Sequence, residues 1–97
     1  MAAGRILRSF PAPGGNTQDI TWDGRTLWCS NNANQLLYQV DPRTGRIIRS
    51  IASPATTPTG LAWDGARLWN ADYGTKLIYQ LDPVTGRVIR SFAAPGS

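Results

Sequence analysis

GRIIRSI, Gly45 to Ile51, stands between two near-copies of itself: GRILRSF from Gly4 to Phe10 and GRVIRSF from Gly86 to Phe92. The three glycines are spaced 41 residues apart. The same offset carries ITWDGRTLWCS (Ile20 to Ser30) onto LAWDGARLWNA (Leu61 to Ala71), and LLYQVDPRTGR (Leu36 to Arg46) onto LIYQLDPVTGR (Leu77 to Arg87). Repetition at a fixed period of this size marks a stacked-repeat architecture. The chain therefore reads as two full units preceded by one extra piece.

Each unit reads as four short strands. Ile20 to Trp22 ends in Asp23-Gly24, a two-residue hairpin signal because both positions tolerate positive φ. Thr26 to Ser30 follows, then the polar NNAN loop and Leu36 to Val40. In DPRTG, Pro42 presets φ for a turn and Gly45 takes its left-handed position. Ile47 to Ile51 is the fourth strand, and no segment shows a capped helical period. Four antiparallel strands in about 40 residues define a β-propeller blade. LLYQV and LIYQL are apolar on both faces, as fits a sheet covered by a neighbour on either side. The expected fold is all-β. Residues 1–15 form an extra outer strand and loop of a preceding blade, 16–56 the first blade and 57–97 the second.

The stretch PTGLAWDGARLWNADYGTKLIYQLDPVTGRVIRSF, Pro58 to Phe92, resembles blades of the NHL-type and virginiamycin B lyase-like propellers. Their pattern runs P-x-G-[LI]-A, W-D-G, L-W-x-A-D and I-Y-x-[LI]-D-P-x-T-G. The first unit departs from it. Gln18-Asp19 stands where the second unit has Thr59-Gly60, and Cys29-Ser30-Asn31 replaces Asn70-Ala71-Asp72. The resemblance implies the fold and leaves function open, because one propeller scaffold hosts enzymes, binding modules and interaction platforms.

A chain of 97 residues buries a limited core and needs help from a disulfide, a metal or a partner subunit. Cys29 is the one cysteine and there is no histidine, so neither an internal disulfide nor a Cys/His zinc site can form. Oligomerisation remains. A blade covers its faces only with other blades, and head-to-tail copies can close a ring. Propellers have about four to eight blades, so a homotrimer with six is expected ahead of a tetramer with eight. No signal peptide or membrane span is visible, which places the sequence, taken as complete, in the cytoplasm. No membrane partner and no cofactor is expected.

Nine arginines and one lysine against six aspartates give a net charge of +4. Arg8, Arg49 and Arg90 recur on the outermost strand, where charge protects an edge from sheet-to-sheet pairing. That role ranks above nucleic-acid binding, which wants a continuous basic surface interleaved with aromatics.

Trp22, Trp63, Trp28 and Trp69 recur at equivalent positions, which favours packing between blades over a sugar platform. Asp23 and Asp64 in the W-D-G turns, and Asp41 and Asp82 in the D-P-x-T-G turns, are placed to cap backbone N–H groups. Asp19 and Asp72 are the remaining aspartates. Asp19 precedes the innermost strand, where one copy per protomer would ring a central channel. The loops that differ most between units emerge on one ring face, and loops on a rigid scaffold are the usual seat of binding. Asp19, Asn31, Asn32, Asn34, Asp72, Tyr73 and Lys76 are thus the candidates for a small polar or carbohydrate ligand; none is read as a metal ligand.

An enzyme needs an acid, base or nucleophile. The chain has no histidine or glutamate, and Cys29 has no counterpart in the second unit. Virginiamycin B lyase-like proteins use histidine with magnesium, which maps onto nothing here. The sequence therefore predicts a non-catalytic, self-assembling two-blade scaffold, with a multivalent lectin-like module as the alternative and a lyase-like enzyme ranked below both.

Overall fold

β-branched and aromatic residues in short runs, punctuated by Asp-Gly and Asp-Pro, leave the backbone few options besides hairpins. The computed structural model describes residues 5–95 and bears this out with eight strands. These are β1 (Thr17–Trp22), β2 (Leu27–Asn31), β3 (Leu36–Val40), β4 (Ile47–Ala52), β5 (Pro58–Trp63), β6 (Leu68–Asp72), β7 (Leu77–Leu81) and β8 (Val88–Ala93). They form two antiparallel meanders, β1-β2-β3-β4 and β5-β6-β7-β8. Registers repeat with the sequence: Cys29 pairs with Tyr38 where Asn70 pairs with Tyr79, and both third strands shift register before their last residue. No helix occurs among the described residues.

The two sheets stack face to face, closest along the inner strands β1 and β5. Between them, Trp28, Leu37 and Ile51 of the first sheet meet Leu61, Leu68 and Leu81 of the second, with Trp63 and Tyr79 packed alongside. Polar groups stitch the same junction. Ser30 Oγ donates to the Thr59 carbonyl at 3.0 Å, and Asp19 Oδ2 accepts from the Leu61 N–H at 2.9 Å.

Two local readings change. β1 begins at Thr17, before the expected Ile20. The W-D-G hairpins have four-residue loops, because the aspartate side chain replaces strand pairing as the partner of the next N–H groups: Asp23 Oδ1 accepts from Arg25 and Thr26, and Asp64 Oδ1 from Ala66 and Arg67. Only the glycines there take positive φ, 99° at Gly24 and 102° at Gly65. Arg5 to Phe10, expected as an outer strand of a preceding blade, pairs with no strand within the single chain, which holds no preceding blade. A strand needs a free edge to bond to. In the single chain the place beside β7 is held by β8. Gly4 and the outermost residues of the 1–15 and 57–97 ranges lie outside the described residues.

The repeat makes Trp28 and Trp69 equivalent in sequence, but Trp28 is 1% exposed and Trp69 only half-buried. Trp28→Ala should cost about 3–5 kcal/mol, the scale of truncating a fully buried large aromatic. Trp69→Ala should cost clearly less in the monomer. Urea unfolding of dilute protein followed by circular dichroism checks the difference.

Candidate functional site

Each sheet is apolar on two faces; the junction inside the chain covers one face of each, and Phe10 covers part of the other face of the first sheet, where Cys29, Tyr38 and Val40 are buried. Shifting the internal junction by one repeat identifies what is left. Leu61 is 9% exposed, whereas its equivalent Ile20 is 53% exposed; Ile51 is 9% exposed and its equivalent Phe92 48%. Trp22, the equivalent of junction residue Trp63, is likewise open. On the second sheet's open face the rings of Trp69 and Phe92 lie 5.9 Å apart. The first sheet's open face carries Cys29, Tyr38 and Val40, with Phe10, Leu27 and Leu36 packed on them. A 330 Å³ hollow there is bordered by Phe10, Pro13, Asp19, Ile20, Leu27 and Cys29. Burial pushes the Cys29 thiol pKa up.

Arg49 was expected to guard an outer edge. It crosses the junction instead. Its guanidinium donates to the carbonyls of Val84 and Pro83, its Nε donates to Gln39 Oε1 at 3.0 Å, and it lies over the Trp28 ring, 5.3 Å from the centroid. The equivalent Arg90 has no turn to reach. Gln80 Oε1, the counterpart of Gln39 Oε1, is buried without a hydrogen-bond partner. The recurring arginine was the signal for this contact, but its target carbonyls carry no sequence mark.

The candidate ligand residues fall into two groups. Asn31 is fully buried; its Nδ2 donates to the Pro13 carbonyl and its Oδ1 accepts from Ala33 and Asn34 N–H. Asp72, at the equivalent place, accepts from Thr57 and Thr75 N–H. Asn34 Nδ2 donates to the Tyr38 hydroxyl. Asp19 uses one oxygen on its own neighbour, Ile20 N–H, and the other on Leu61 N–H. Asp19, Asn31 and Asp72 tie backbone together, and Asn34 ties its loop to the Tyr38 ring. Asn32, which accepts from Asn16 Nδ2, and the pair Tyr73 and Lys76 stand on the loop rim. Tyr73 is 69% exposed, with Lys76 Nζ 4.6 Å from its ring centroid. The pair borders a 200 Å³ hollow with Thr59, Ala71, Asp72 and Leu77. Among the described residues, no three His, Cys, Asp or Glu side chains come together to hold a metal.

On the opposite face the turn aspartates bond locally. The Trp69 Nε1–H and the N–H groups of Ala66 and Arg67 hold the Asp64 pKa at about 2. Burial pushes Asp23 up, but hydrogen bonds from Thr26, Arg25 and Trp28 outweigh it and leave the carboxyl below its ordinary value. Asp41 and Asp82 are lowered first by the N–H groups of Arg43 and Val84.

Two four-stranded meanders stacked with their inner strands β1 and β5 closest define the class: this is a β-propeller fold. Solved structures agree. The chain is similar to hydrazine synthase of Kuenenia stuttgartiensis, with TM-score 0.69 and 24% identity, over 94% of this chain and 27% of that one. It is similar to glutaminyl cyclase of Myxococcus xanthus, with TM-score 0.67 and 16% identity, over 79% and 32%. BamB of Moraxella catarrhalis, a β-propeller protein, gives TM-score 0.63 and 14% identity over 84% and 26%. The chain thus spans about a quarter to a third of these structures, and the likeness carries the fold alone. No protein-family model and no curated protein matches the chain. The expectation that the chain is not an enzyme is corrected by these neighbours, two of which are enzymes. Lack of histidine and glutamate does not exclude catalysis on this fold. As for a membrane, no helix among the described residues is long and apolar enough to cross one.

Because Asp64 is held at about 2 in the folded chain against an ordinary 3.8, the unfolded chain takes up its proton first as pH falls. Its stabilisation is complete above pH 3.8 and is lost as pH falls through about 2. The melting temperature should therefore hold between about pH 7 and 5, then fall steeply below about pH 4. Asp64→Asn should lower it at neutral pH and shrink the acid loss. Thermal melts of both proteins across this range check it.

Proposed function

We propose that the chain is a self-assembling propeller unit of the NHL-type or virginiamycin B lyase-like group, whose copies associate head to tail into a closed ring. One observation carries the reading: the two open faces are, residue for residue, the two halves of the junction already formed inside the chain. Ile20, Trp22, Leu27, Tyr38 and Val40 correspond to Leu61, Trp63, Leu68, Tyr79 and Leu81; Trp69, Ile78 and Phe92 correspond to Trp28, Leu37 and Ile51. The occupant that fits each open face is therefore the other open face of a second copy. Arg90 then reaches the neighbour's Pro42 and Arg43 carbonyls as Arg49 reaches Pro83 and Val84, and its Nε satisfies Gln80 Oε1. Heterologous contacts of this kind form a ring when the rotation closes. Three copies give six blades, ahead of four copies giving eight, both within the usual range of about four to eight.

A second reading places a small polar or carbohydrate ligand on the loop rim. The exposed Tyr73 ring, held by Lys76 beside a 200 Å³ hollow, supports it. Ring symmetry would repeat that rim and raise avidity. A glycan array with Tyr73→Ala as the control tests it, and equal signal from both proteins rejects it.

Light scattering should give three times the chain mass of 10.5 kDa; a monodisperse monomer at all concentrations rejects the ring. Phe92→Asp and Ile20→Asp change exposed residues, so each should leave the monomer folded. Each should weaken association about a hundredfold or more, the scale of an interface hot spot. Sedimentation velocity over a concentration series reads both.

A further inference from the structure

The duplicated outer strand sets a competition inside the chain. Phe10, Ile51 and Phe92 are the same position of three copies. At the internal junction Ile51 lies against Gly86, its Cβ 3.2 Å from where a glycine Cβ would stand. Phe10 does the same on the open face of the first sheet: a Cβ on Gly45 would overlap its ring, and it packs on the cluster of Cys29, Tyr38 and Val40. Phe10 is to the first sheet what Ile51 is to the second. In a head-to-tail ring that place belongs to the neighbour's Phe92.

We propose that residues 5–10 are a built-in cap, in which Phe10 occupies the seat of the neighbour's Phe92 and must leave before the ring can close. This rests on the assembly reading above. The alternative, in which the segment stays and displaces the neighbour's β8, costs more. Releasing β8 would dismantle the turn before it, where the Asp82 N–H donates to the Arg87 carbonyl at 2.9 Å and the Gly86 N–H to the Asp82 carbonyl at 2.8 Å. It would also remove the frame that presents the Pro83 and Val84 carbonyls to Arg49. The cap holds on by far less. Ile6 and Leu7 are 80% and 79% exposed, and among the described residues no hydrogen bond joins residues 5–12 to the rest of the chain. The first fixed point after Phe10 is Pro13, whose carbonyl accepts from Asn31 Nδ2 at 3.0 Å. The cap can therefore swing away from Pro13 without disturbing β1. A cap seated nine-tenths of the time weakens association about tenfold, because only the uncapped fraction binds.

The test compares the full chain with Phe10→Ser and Phe10→Ile by sedimentation over a concentration series. Labelling of Cys29 by a thiol reagent in dilute protein is the second reading. Phe10→Ser should lower the concentration of half-assembly about tenfold and speed Cys29 labelling of the monomer, since Phe10 covers that cluster. Phe10→Ile, with the residue that fills the seat on the second sheet, should behave like the parent. Loss of the ring in Phe10→Ser overturns the cap and makes the segment a clasp. An unchanged half-assembly concentration also overturns it. If no variant exceeds the monomer mass, the assembly reading falls and the competition with it. Faster Cys29 labelling in Phe10→Ser would then show that the contact on the first sheet was correctly read.

Discussion

A four-stranded sheet with apolar side chains on both faces has to be covered twice, and in this chain each sheet has another sheet on one face only. The covered half is the stack of Trp28, Leu37 and Ile51 against Leu61, Leu68 and Leu81. Burial of apolar surface is the dominant driving force of folding, so this junction decides how the sheets lie and where the loops emerge. It also determines which residues remain outside. Because the two units are near-copies, the surface left open is a displaced image of the surface that closed.

The repeat made the architecture legible. Strand pairing, turn chemistry and meander order depend on residues close in sequence, and Asp41 with Gly45 or Asp82 with Gly86 announce their turns directly. Asymmetry was not legible. Trp28 and Trp69, or Leu61 and Ile20, are interchangeable on paper, and which is buried depends on the sheet that happens to stand beside it. For the same reason Arg49 read as an edge charge: its partners are backbone carbonyls 34 and 35 positions away, to which any residue type could contribute.

Asp19, Asn31, Asn34 and Asp72 stood out because polar side chains in variable loops suggest ligands. Each is engaged with backbone N–H or C=O groups or a tyrosine hydroxyl. Buried loop backbone must find partners, and short polar side chains are the local supply. Tyr73, Lys76 and Asn32 are on the rim, where the sequence reading had put the variable loops. The exclusion of catalysis failed for a different reason. It treated missing residue types as decisive for a fold that enzymes also use.

Asp19 has no counterpart in the second unit, where Gly60 holds its place. A single carboxylate serves two inner N–H groups, that of Ile20 on its own strand and that of Leu61 on the next sheet. The Ile20 amide is thus already satisfied and asks nothing of whatever lies on its far side, so a glycine there is sufficient. Seams between blades would therefore come in two kinds around a ring, latched within a chain and unlatched between chains. Rotational symmetry would be that of chains rather than blades, and the unlatched seams are where such a ring would open first.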